Sequence, residues 1–471
     1  MSKAKDFVHY LNEASTPIHA VLECKRRLVK CGFVELDEKE TNWQLEKGKK
    51  YYYTRNGTAL IAFVVGGKYD EKSGGCLMIG AHTDSPCPRL KPISKLEKNS
   101  HIMLGVVGYG GGLWHTWFDR DLTVGGRVLV RMEGERIESR AVRIDKPICR
   151  ISNLAIHLLT SDERHGNQGF KPNLQNHLPP ILATGIKDAL WKDVLIDDVA
   201  GKRFHPLLVK LCADNLQIPP ENIIDLELQL CDTQPACIGG ACDEFIFSGR
   251  LDNQACCYLG LEALCDLVKS NEKVNSMKSI SLLALFDHEE VGSLSATGAQ
   301  GPLLHDAIQR ISTSLIMTPN IHPSCAATAL RARSLLVSAD MAHAAHPNYS
   351  ERHDPEHAPK LGKGLVIKHN ANQRYATDAI GATLLRQAAA FAGLTPCQEF
   401  AVKADCACGS TIGPISAAAL GVRTIDVGAP QLSMHSIREM MHIDDLQHSF
   451  DVFSALFWHF DQLQSNVLHS S

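Results

Sequence analysis

The sequence predicts an α/β protein in which a mostly parallel sheet is flanked by helices and the chain carries an inserted β-rich domain. Two short apolar runs, at 60–65 and 76–79, are bounded by glycine, as buried strands often are. From about residue 93 apolar and polar residues alternate, as in β-hairpins with one solvent-exposed face. After Asp252 strand and helix patterns alternate again, which favours a parallel sheet covered on both faces.

Taken in order, the elements begin with two N-terminal helices, predicted from apolar residues at helical spacing up to Gly32. The runs 60–65 and 76–79 then predict two buried strands. Beyond the insertion, the pattern predicts helices at 253–269, 302–314, 376–392 and 411–420, and strands at 280–286, 334–337 and 422–427. We therefore expect a discontinuous α/β domain at 1–92 and 247–471, with the inserted domain at 93–246.

The composition argues against several classes of function. The 471 residues include 48 Lys and Arg against 52 Asp and Glu, a net charge of −4, which argues against a polybasic nucleic-acid or membrane surface. No apolar run reaches the roughly 18 residues of a membrane span, and no apolar segment near the start predicts export. The 16 cysteines contain no Cys-x-x-Cys pair, so we expect reduced thiols and a cytoplasmic protein.

Polar residues follow the predicted strands where each strand ends. They are His82 with Asp84, the run Asp287-His288-Glu289-Glu290, Asp340 with His343, and the run Met434-His435-Ser436. Because ligands of open α/β sheets bind outside the carboxyl ends of the strands, we expect these residues to meet at one rim. An isolated His-Thr-Asp or Glu-Glu pair is more often a solvated surface feature, so the coincidence of several favours a site.

Imidazole and carboxylate groups in this number suit a pair of hydrolytic metal ions that share one carboxylate. Asp252, at the start of a predicted helix, supplies the bridging acid. Neighbouring Glu289 and Glu290 point in different directions, so one can bind metal while the other acts as general base toward water. Asp84 is placed to hydrogen-bond the far nitrogen of His82.

Seven segments closely resemble the aspartyl aminopeptidases, in order from near residue 6 to near residue 460, and favour the cytosolic eukaryotic branch of that family. They are Gly80-Ala81-His82-Thr83-Asp84-Ser85-Pro86, Trp117-Phe118-Asp119-Arg120-Asp121-Leu122, Gly249-Arg250-Leu251-Asp252-Asn253, His288-Glu289-Glu290-Val291-Gly292-Ser293, Ser338-Ala339-Asp340-Met341-Ala342-His343, Cys408-Gly409-Ser410-Thr411-Ile412-Gly413-Pro414 and Ser433-Met434-His435-Ser436-Ile437-Arg438-Glu439.

The resemblance implies a fold of the di-zinc exopeptidase type and an aminopeptidase that removes unblocked N-terminal Asp or Glu from peptides. It implies two Zn²⁺ per subunit, for which other divalent ions such as Mn²⁺ or Co²⁺ can substitute. One zinc would be held by His82, Asp252 and Asp340, and the other by Asp252, Glu290 and His435. Glu289 would be the general base.

The same resemblance assigns residues to the substrate. Lys368 would meet its acidic side chain, and His343 and Tyr375 would contact it. His157 would enter the site from a neighbouring subunit of a tetrahedral homododecamer assembled through the inserted domain, with no nucleic-acid or membrane partner. Two stretches depart from the family pattern, at His288 and at Cys406-Ala407-Cys408, and they bear on fine specificity only.

Two other functions stay open at this point. One is a di-metal exopeptidase or deacylase of broader specificity, and the other is a non-catalytic scaffold whose metals brace the fold. Without the resemblance, Lys368 would be an ordinary surface lysine and His157 a satisfied histidine in the core of the insertion.

Overall fold

The computed structural model describes residues 2–165, 170–191 and 193–465, which divide into two compact units. Unit 1 contains the residues up to Asp84, Ala236–Met434 and the residues from Glu439 on, and unit 2 contains Ser85–Pro235 and His435–Arg438.

The described residues form the following strands: β1 (Val34–Glu35), β2 (Lys50–Arg55), β3 (Ala59–Val65), β4 (Cys76–His82), β5 (Cys87–Lys98), β6 (His101–Tyr109), β7 (Leu122–Arg131), β8 (Ile137–Arg143), β9 (Ile181–Thr184), β10 (Ile223–Asp232), β11 (Cys237–Gly239), β12 (Phe245–Ser248), β13 (Ile280–Phe286), β14 (Leu335–Ala339), β15 (Ala342–His343), β16 (Val366–His369), β17 (Gln398–Ala401), β18 (Arg423–Gly428), β19 (Pro430–Leu432) and β20 (Glu439–His442). The helices are α1 (Lys3–Glu13), α2 (Pro17–Lys30), α3 (Ser161–His165), α4 (Leu174–His177), α5 (Asp198–Arg203), α6 (Pro206–Leu216), α7 (Leu251–Leu267), α8 (Asn271–Ser276), α9 (Leu303–Ser314), α10 (Pro323–Ala332), α11 (Ala379–Phe391), α12 (Ile412–Leu420) and α13 (Ile443–Ser465).

Nine of the described strands form the main sheet of unit 1, in the order β1-β2-β3-β13-β4-β14-β18-β16-β17. The four central strands β13, β4, β14 and β18 run parallel to one another. The flanking pairs β2–β3, β3–β13 and β16–β18 are antiparallel. The predicted mostly parallel sheet is thus confirmed at its centre, while its flanks are mixed.

Helices cover both faces of this sheet, as its sequence pattern predicts. Alternate side chains of β3 enter two different cores: Leu60, Ala62 and Val64 pack with α7, α11 and α13, whereas Ile61 and Phe63 pack with α9. β3, β4 and β13 are buried at every position. This explains why their sequences are continuously apolar and show no alternation between wet and dry faces.

A smaller sheet in unit 1 has the order β11-β12-β20-β19-β15. β19 and β20 pair antiparallel, with Leu432 opposite Met440, and residues 433–438 connect them. Unit 2 is built on a sheet of the order β8-β7-β10-β5-β6-β9, against which α6 packs through buried Leu208 and Val209.

The predicted insertion, 93–246, differs from unit 2 at both ends. β5 starts at Cys87 and already pairs with β6 in the sheet of unit 2. β11 and β12 pair with each other and, through β12, with β20 of unit 1. Strand pairing therefore assigns 85–92 to unit 2 and 236–246 to unit 1, which the alternation of residue types alone did not reveal.

None of the helices in the described residues is long and apolar enough to cross a membrane.

Candidate metal centre

The predicted metal ligands of unit 1 lie at the carboxyl ends of its central strands. His82 is the last residue of β4, and Asp340 follows β14 directly. Glu289 and Glu290 begin a single 3-10 turn, Glu289–Val291, shortly after β13. Asp252 lies in the first turn of α7. Parallel strands end at one edge of a sheet, so the fold brings these side chains together as predicted.

The imidazole of His82 is the centre of this group. Its Nε2 lies 3.3 Å from Oδ1 of Asp252, 3.5 Å from Oδ1 of Asp340 and 3.9 Å from Oε2 of Glu289. One ligand atom from each of His82, Asp252 and Asp340 lies within 4.8 Å of the others, and the same holds for His82, Glu289 and Glu290. His82, Asp252 and Asp340 are buried.

Main-chain groups determine which nitrogen of His82 faces the carboxylates. Nδ1 lies 3.0 Å from the carbonyl oxygen of Asp84, and because a carbonyl only accepts, Nδ1 carries the proton and donates it. Nε2 is left as the metal-binding nitrogen, the usual arrangement for a histidine ligand. The predicted partner is thus Asp84, but through its main-chain oxygen, with the carboxylate Oδ1 farther away at 3.4 Å.

The carboxylate of Asp84 binds the backbone of the Glu289–Glu290 turn. Its two oxygens accept hydrogen bonds from the backbone N–H groups of Glu289 and Glu290, each at 3.1 Å. One buried residue therefore orients His82 through its backbone and the Glu289–Glu290 turn through its side chain.

The electrostatics of the group favour a bound cation. Burial alone would lower the pKa of His82, but hydrogen bonds to Asp252, Asp340 and Asp84 raise it well above its usual value. Burial, opposed by the charge of His82 and assisted by the charges of Asp340, Asp252 and Asp84, raises the pKa of Glu289 to about 8. Imidazole nitrogen with carboxylate oxygen is a donor set that suits Zn²⁺, so these residues fit the metal.

His435 lies in the 433–438 connection, within the segment that belongs to unit 2. Its Nδ1 lies 2.9 Å from the carbonyl oxygen of Gly111, so Nδ1 is the donor and Nε2 is the nitrogen suited to a metal. Its role as a ligand stays a prediction.

Lys368 is buried, so the interpretation of it as a surface lysine is wrong. Only 2% of the residue is exposed, and its Nζ donates to the carbonyl oxygen of Met341 at 2.9 Å. The same atom lies 3.7 Å from Oδ2 of Asp340 and 5.2 Å from the ring centre of Tyr375. An ammonium group thus lies beside Asp340, one of the predicted metal ligands.

Tyr375 and His343 meet at a cavity of about 200 Å³. Their rings both contact Phe400, with centroid distances of 6.3 Å for Tyr375 and 5.9 Å for His343. Cys406 and Cys408 line the same cavity. These two cysteines belong to the stretch that departs from the family pattern, whereas Phe400 carries no motif by which the sequence alone could identify it.

His157 lies in unit 2, in the short 3-10 turn Ile156–Leu158. Its side chain is exposed, and the flanking Ile156 and Leu158 are 62% and 69% exposed. The interpretation of His157 as a core histidine of the insertion is therefore wrong.

Comparison with known proteins places this geometry in a family. The sequence profile of the aminopeptidase I zinc metalloproteases, M18, matches residues 10–457. The chain belongs to the M18 family. It is a zinc metallo-aminopeptidase, which confirms the predicted hydrolase and excludes the scaffold without catalysis.

Several individual proteins are similar to this M18 aminopeptidase. A probable aspartyl aminopeptidase of Ricinus communis is 46% identical over 98% of this chain and 96% of its own length. An aspartyl aminopeptidase of Dictyostelium discoideum is 41% identical over 98% of each chain. Among solved structures, the S. cerevisiae mApe1 dodecamer superposes with a TM-score of 0.84 at 30% identity and covers 98% of both chains.

Proposed function

We propose that the chain hydrolyses the peptide bond after an unblocked N-terminal Asp or Glu. The observation that carries this proposal is the buried ammonium group of Lys368, 3.7 Å from Asp340. A cation in a protected pocket beside the hydrolytic centre suits a substrate carboxylate, and such a charge-assisted pair contributes about 1.5–3 kcal/mol. The names of two full-length relatives agree with this specificity.

For the metals we propose two Zn²⁺ per subunit, with Mn²⁺ or Co²⁺ as substitutes. His82, Asp252 and Asp340 would hold one ion, and Asp252, Glu290 and His435 the other, with Asp252 shared. When bound, the ions polarise the scissile carbonyl group and lower the pKa of water. The orientation of Nε2 in both His82 and His435 supports this ligand set.

Glu289 is proposed as the general base. Its side chain lies at the edge of the group, with Oε2 3.9 Å from Nε2 of His82. The carboxylate takes a proton from the attacking water while the water oxygen adds to the carbonyl carbon. It then delivers that proton to the leaving amine as the C–N bond breaks. The products are a free acidic amino acid and a peptide shortened by one residue.

The substrate side chain is proposed to contact Lys368, His343 and Tyr375, of which His343 and Tyr375 line the cavity of about 200 Å³. The ring centre of Tyr375 lies 5.2 Å from Nζ of Lys368 and 6.3 Å from the ring centre of Phe400, so an acidic side chain in contact with Tyr375 would lie close to the buried ammonium group. The low local dielectric strengthens that pairing.

A second function, a broader aminopeptidase, is favoured by one observation. Lys368 already donates to Met341 and lies near Asp340, so its charge is balanced within the protein. If the substrate does not displace this arrangement, an acidic N-terminal residue gains nothing over a neutral one.

We also propose the tetrahedral homododecamer and the entry of His157 into a neighbouring subunit's site. The exposure of the Ile156–Leu158 turn supports this, as does the similarity to a structure that is named as a dodecamer. The cytoplasmic location stays a prediction.

The proposed function is tested with chromogenic substrates that carry N-terminal Asp, Glu or Leu. The protein is freed of metal by a chelator and then reloaded with Zn²⁺. We expect activity to disappear and return, with kcat/KM for Asp and Glu at least tenfold above that for Leu, which corresponds to the ~1.5–3 kcal/mol of the ion pair. Equal values for all three substrates would favour the broader aminopeptidase.

A further inference from the structure

A chain of buried hydrogen bonds connects the N-terminal helix to the residue beside His82. The hydroxyl of Tyr10 in α1 donates to Oε1 of Gln254 at 2.9 Å. Nε2 of Gln254 then donates to the main-chain oxygen of Thr83 at 2.6 Å. Tyr10 and Gln254 are fully buried, and Thr83 is 1% exposed.

The Tyr10 hydroxyl orients the amide of Gln254. An amide offers one acceptor and two donors, and its two ends have nearly the same shape. The donor at Tyr10 requires the oxygen of Gln254 on its side, which directs the NH₂ group to the carbonyl of Thr83. Without that hydroxyl a buried acceptor loses its partner, and the amide is held only through its bond to the carbonyl of Thr83.

The carbonyl groups at the end of β4 are held by α7. Besides the bond from Gln254 to Thr83, Sγ of Cys257 donates to the main-chain oxygen of His82 at 3.0 Å. On the other side, the backbone N–H of Thr83 donates to the main-chain oxygen of Phe286 at 2.7 Å, and the hydroxyl of Thr83 donates to the main-chain oxygen of Thr58 at 2.8 Å. The end of β4, and with it the ring of His82, is therefore positioned from two sides.

The same turn of α7 serves a second predicted ligand. Nδ2 of Asn253 donates to the carbonyl oxygen of Ala339 at 2.8 Å, directly before Asp340. Asp252 is thus followed by two amide side chains, each of which holds the backbone next to another ligand.

We propose that Tyr10 and Gln254 are positioning residues for the metal ligand His82, so that helix α1 contributes to zinc affinity. The proposal rests on the proposed role of His82 as a zinc ligand. Groups that support a ligand from outside typically change metal affinity by roughly 10–100-fold when they are removed.

The aromatic cluster offers a matched control. Tyr258 is also buried, and its ring centre lies 5.4 Å from that of Tyr10. Its hydroxyl donates to Asp6 at 2.8 Å instead of to Gln254. Tyr258→Phe therefore removes a hydroxyl from the same cluster and leaves the chain from Tyr10 to Thr83 intact. Cys24→Ala is a second control, because Sγ of Cys24 lies 3.7 Å from the Tyr10 hydroxyl.

The experiment measures zinc affinity of the full-length protein by competition with a chelator, and the absorption spectrum of the Co²⁺-loaded form. We expect Tyr10→Phe to weaken zinc binding by roughly tenfold and to change the Co²⁺ spectrum, while Tyr258→Phe and Cys24→Ala bind as the parent does. Gln254→Glu keeps an acceptor for Tyr10 but offers no donor to Thr83, so we expect a loss at least as large. Circular dichroism of the metal-free variants reports whether each is folded.

Equal zinc affinity in Tyr10→Phe, Gln254→Glu and Tyr258→Phe would overturn the proposal. His82→Ala separates this failure from a failure of the ligand assignment. If His82→Ala loses zinc while the two positioning variants bind normally, only the positioning role is wrong. If His82→Ala keeps its full complement of zinc, the ligand assignment itself is wrong and the positioning role falls with it.

Discussion

Glu289 and Glu290 are neighbours of the same residue type, and their shared turn gives them different surroundings. The carboxylate of Asp84 accepts hydrogen bonds from the backbone N–H groups of both. These bonds hold the backbone of the turn in place, so the two side chains keep separate positions. The sequence motif could predict that two carboxylates arrive here. It could not predict the anchor on Asp84, because that contact joins β4 to the turn after β13 across 205 positions of the chain.

The first prediction concerns Glu289, whose carboxylate moves a proton and binds no metal in the proposed scheme. Glu289→Gln keeps the shape of the side chain but removes its basicity. We expect two zinc ions per subunit to remain and turnover to fall by roughly 10²–10⁴-fold. Mass spectrometry of the native protein measures the zinc. Loss of one ion with the activity would make Glu289 a ligand.

The second prediction concerns Lys368. Lys368→Met keeps the aliphatic stem and removes the ammonium group, so kcat/KM for N-terminal Asp and Glu should fall by roughly 10–100-fold, or about 1.5–3 kcal/mol. The Leu substrate should change little. The control is Lys363→Met, which makes the same substitution at an exposed lysine shortly before β16. A uniform loss for every substrate would remove Lys368 from the specificity role.

At the scale of elements, the first turn of α13 holds the loop that leads into β16, the strand of Lys368. The carboxylate of Asp445 accepts from the backbone N–H groups of Gly362 at 2.8 Å and Gly364 at 2.7 Å. Both glycines have positive φ, at 75° and 91°, a conformation that residues with a Cβ rarely adopt. The helix thus fixes the entry of a strand that lies far from it in sequence.

The third prediction tests this anchor. Asp445→Ala leaves two N–H groups without their acceptor, and each such loss costs about 1–3 kcal/mol. Urea unfolding followed by circular dichroism should show a lower midpoint. The matched control is Asp444→Ala, since the side chain of Asp444 is 73% exposed. Equal midpoints for the two variants would show that the loop does not depend on Asp445.

The elements that the sequence predicted well are those with the strongest apolar patterns. The predicted strands 60–65, 76–79 and 280–286 lie within β3, β4 and β13, respectively. A strand that is covered on both faces is apolar along its whole length, and such a run is easily recognised in the sequence. The boundaries of the insertion were harder to predict from sequence, because they depend on the sheet in which each strand pairs: β5 pairs in the sheet of unit 2, whereas β11 and β12 pair in a sheet of unit 1. Pairing partners are a property of the whole fold.

At the scale of the whole molecule, the proposed assembly makes catalysis depend on more than one chain. Every proposed metal ligand except His435 belongs to unit 1, whereas His157 belongs to unit 2. Exposed apolar residues surround His157 in sequence, Leu154, Ile156 and Leu158 among them. Exposed apolar patches of this kind often mark contacts with other proteins.

The fourth prediction is a mixing experiment. In the proposed scheme, the His157 imidazole donates a hydrogen bond to the oxyanion of the tetrahedral intermediate in a neighbour's site, and loss of such a donor costs about 2.7–4 kcal/mol. His157→Ala lacks this donor and Glu289→Gln lacks the general base, so each variant alone should have very low activity. Dissociated, mixed and reassembled, the two variants should regain part of the activity, because some sites then combine an intact Glu289 with a neighbour's intact His157. If mixed oligomers form but are as inactive as either parent, His157 does not act in a neighbouring subunit's site.

The parallel pairing of β4 with β13 has a consequence for the order in which the chain is made. His82 ends opposite Phe286 in this pair, and all of Ser85–Pro235 is translated between them. At roughly 5–20 residues per second, the ribosome needs about 10–40 s to pass from β4 to the end of β13. Until then β4 has neither of its parallel neighbours, and Glu289, Glu290 and Asp340, which follow β13 in the chain, have not yet been synthesised. In the proposed scheme, the growing polypeptide therefore lacks its general base and cannot hydrolyse peptides throughout this interval.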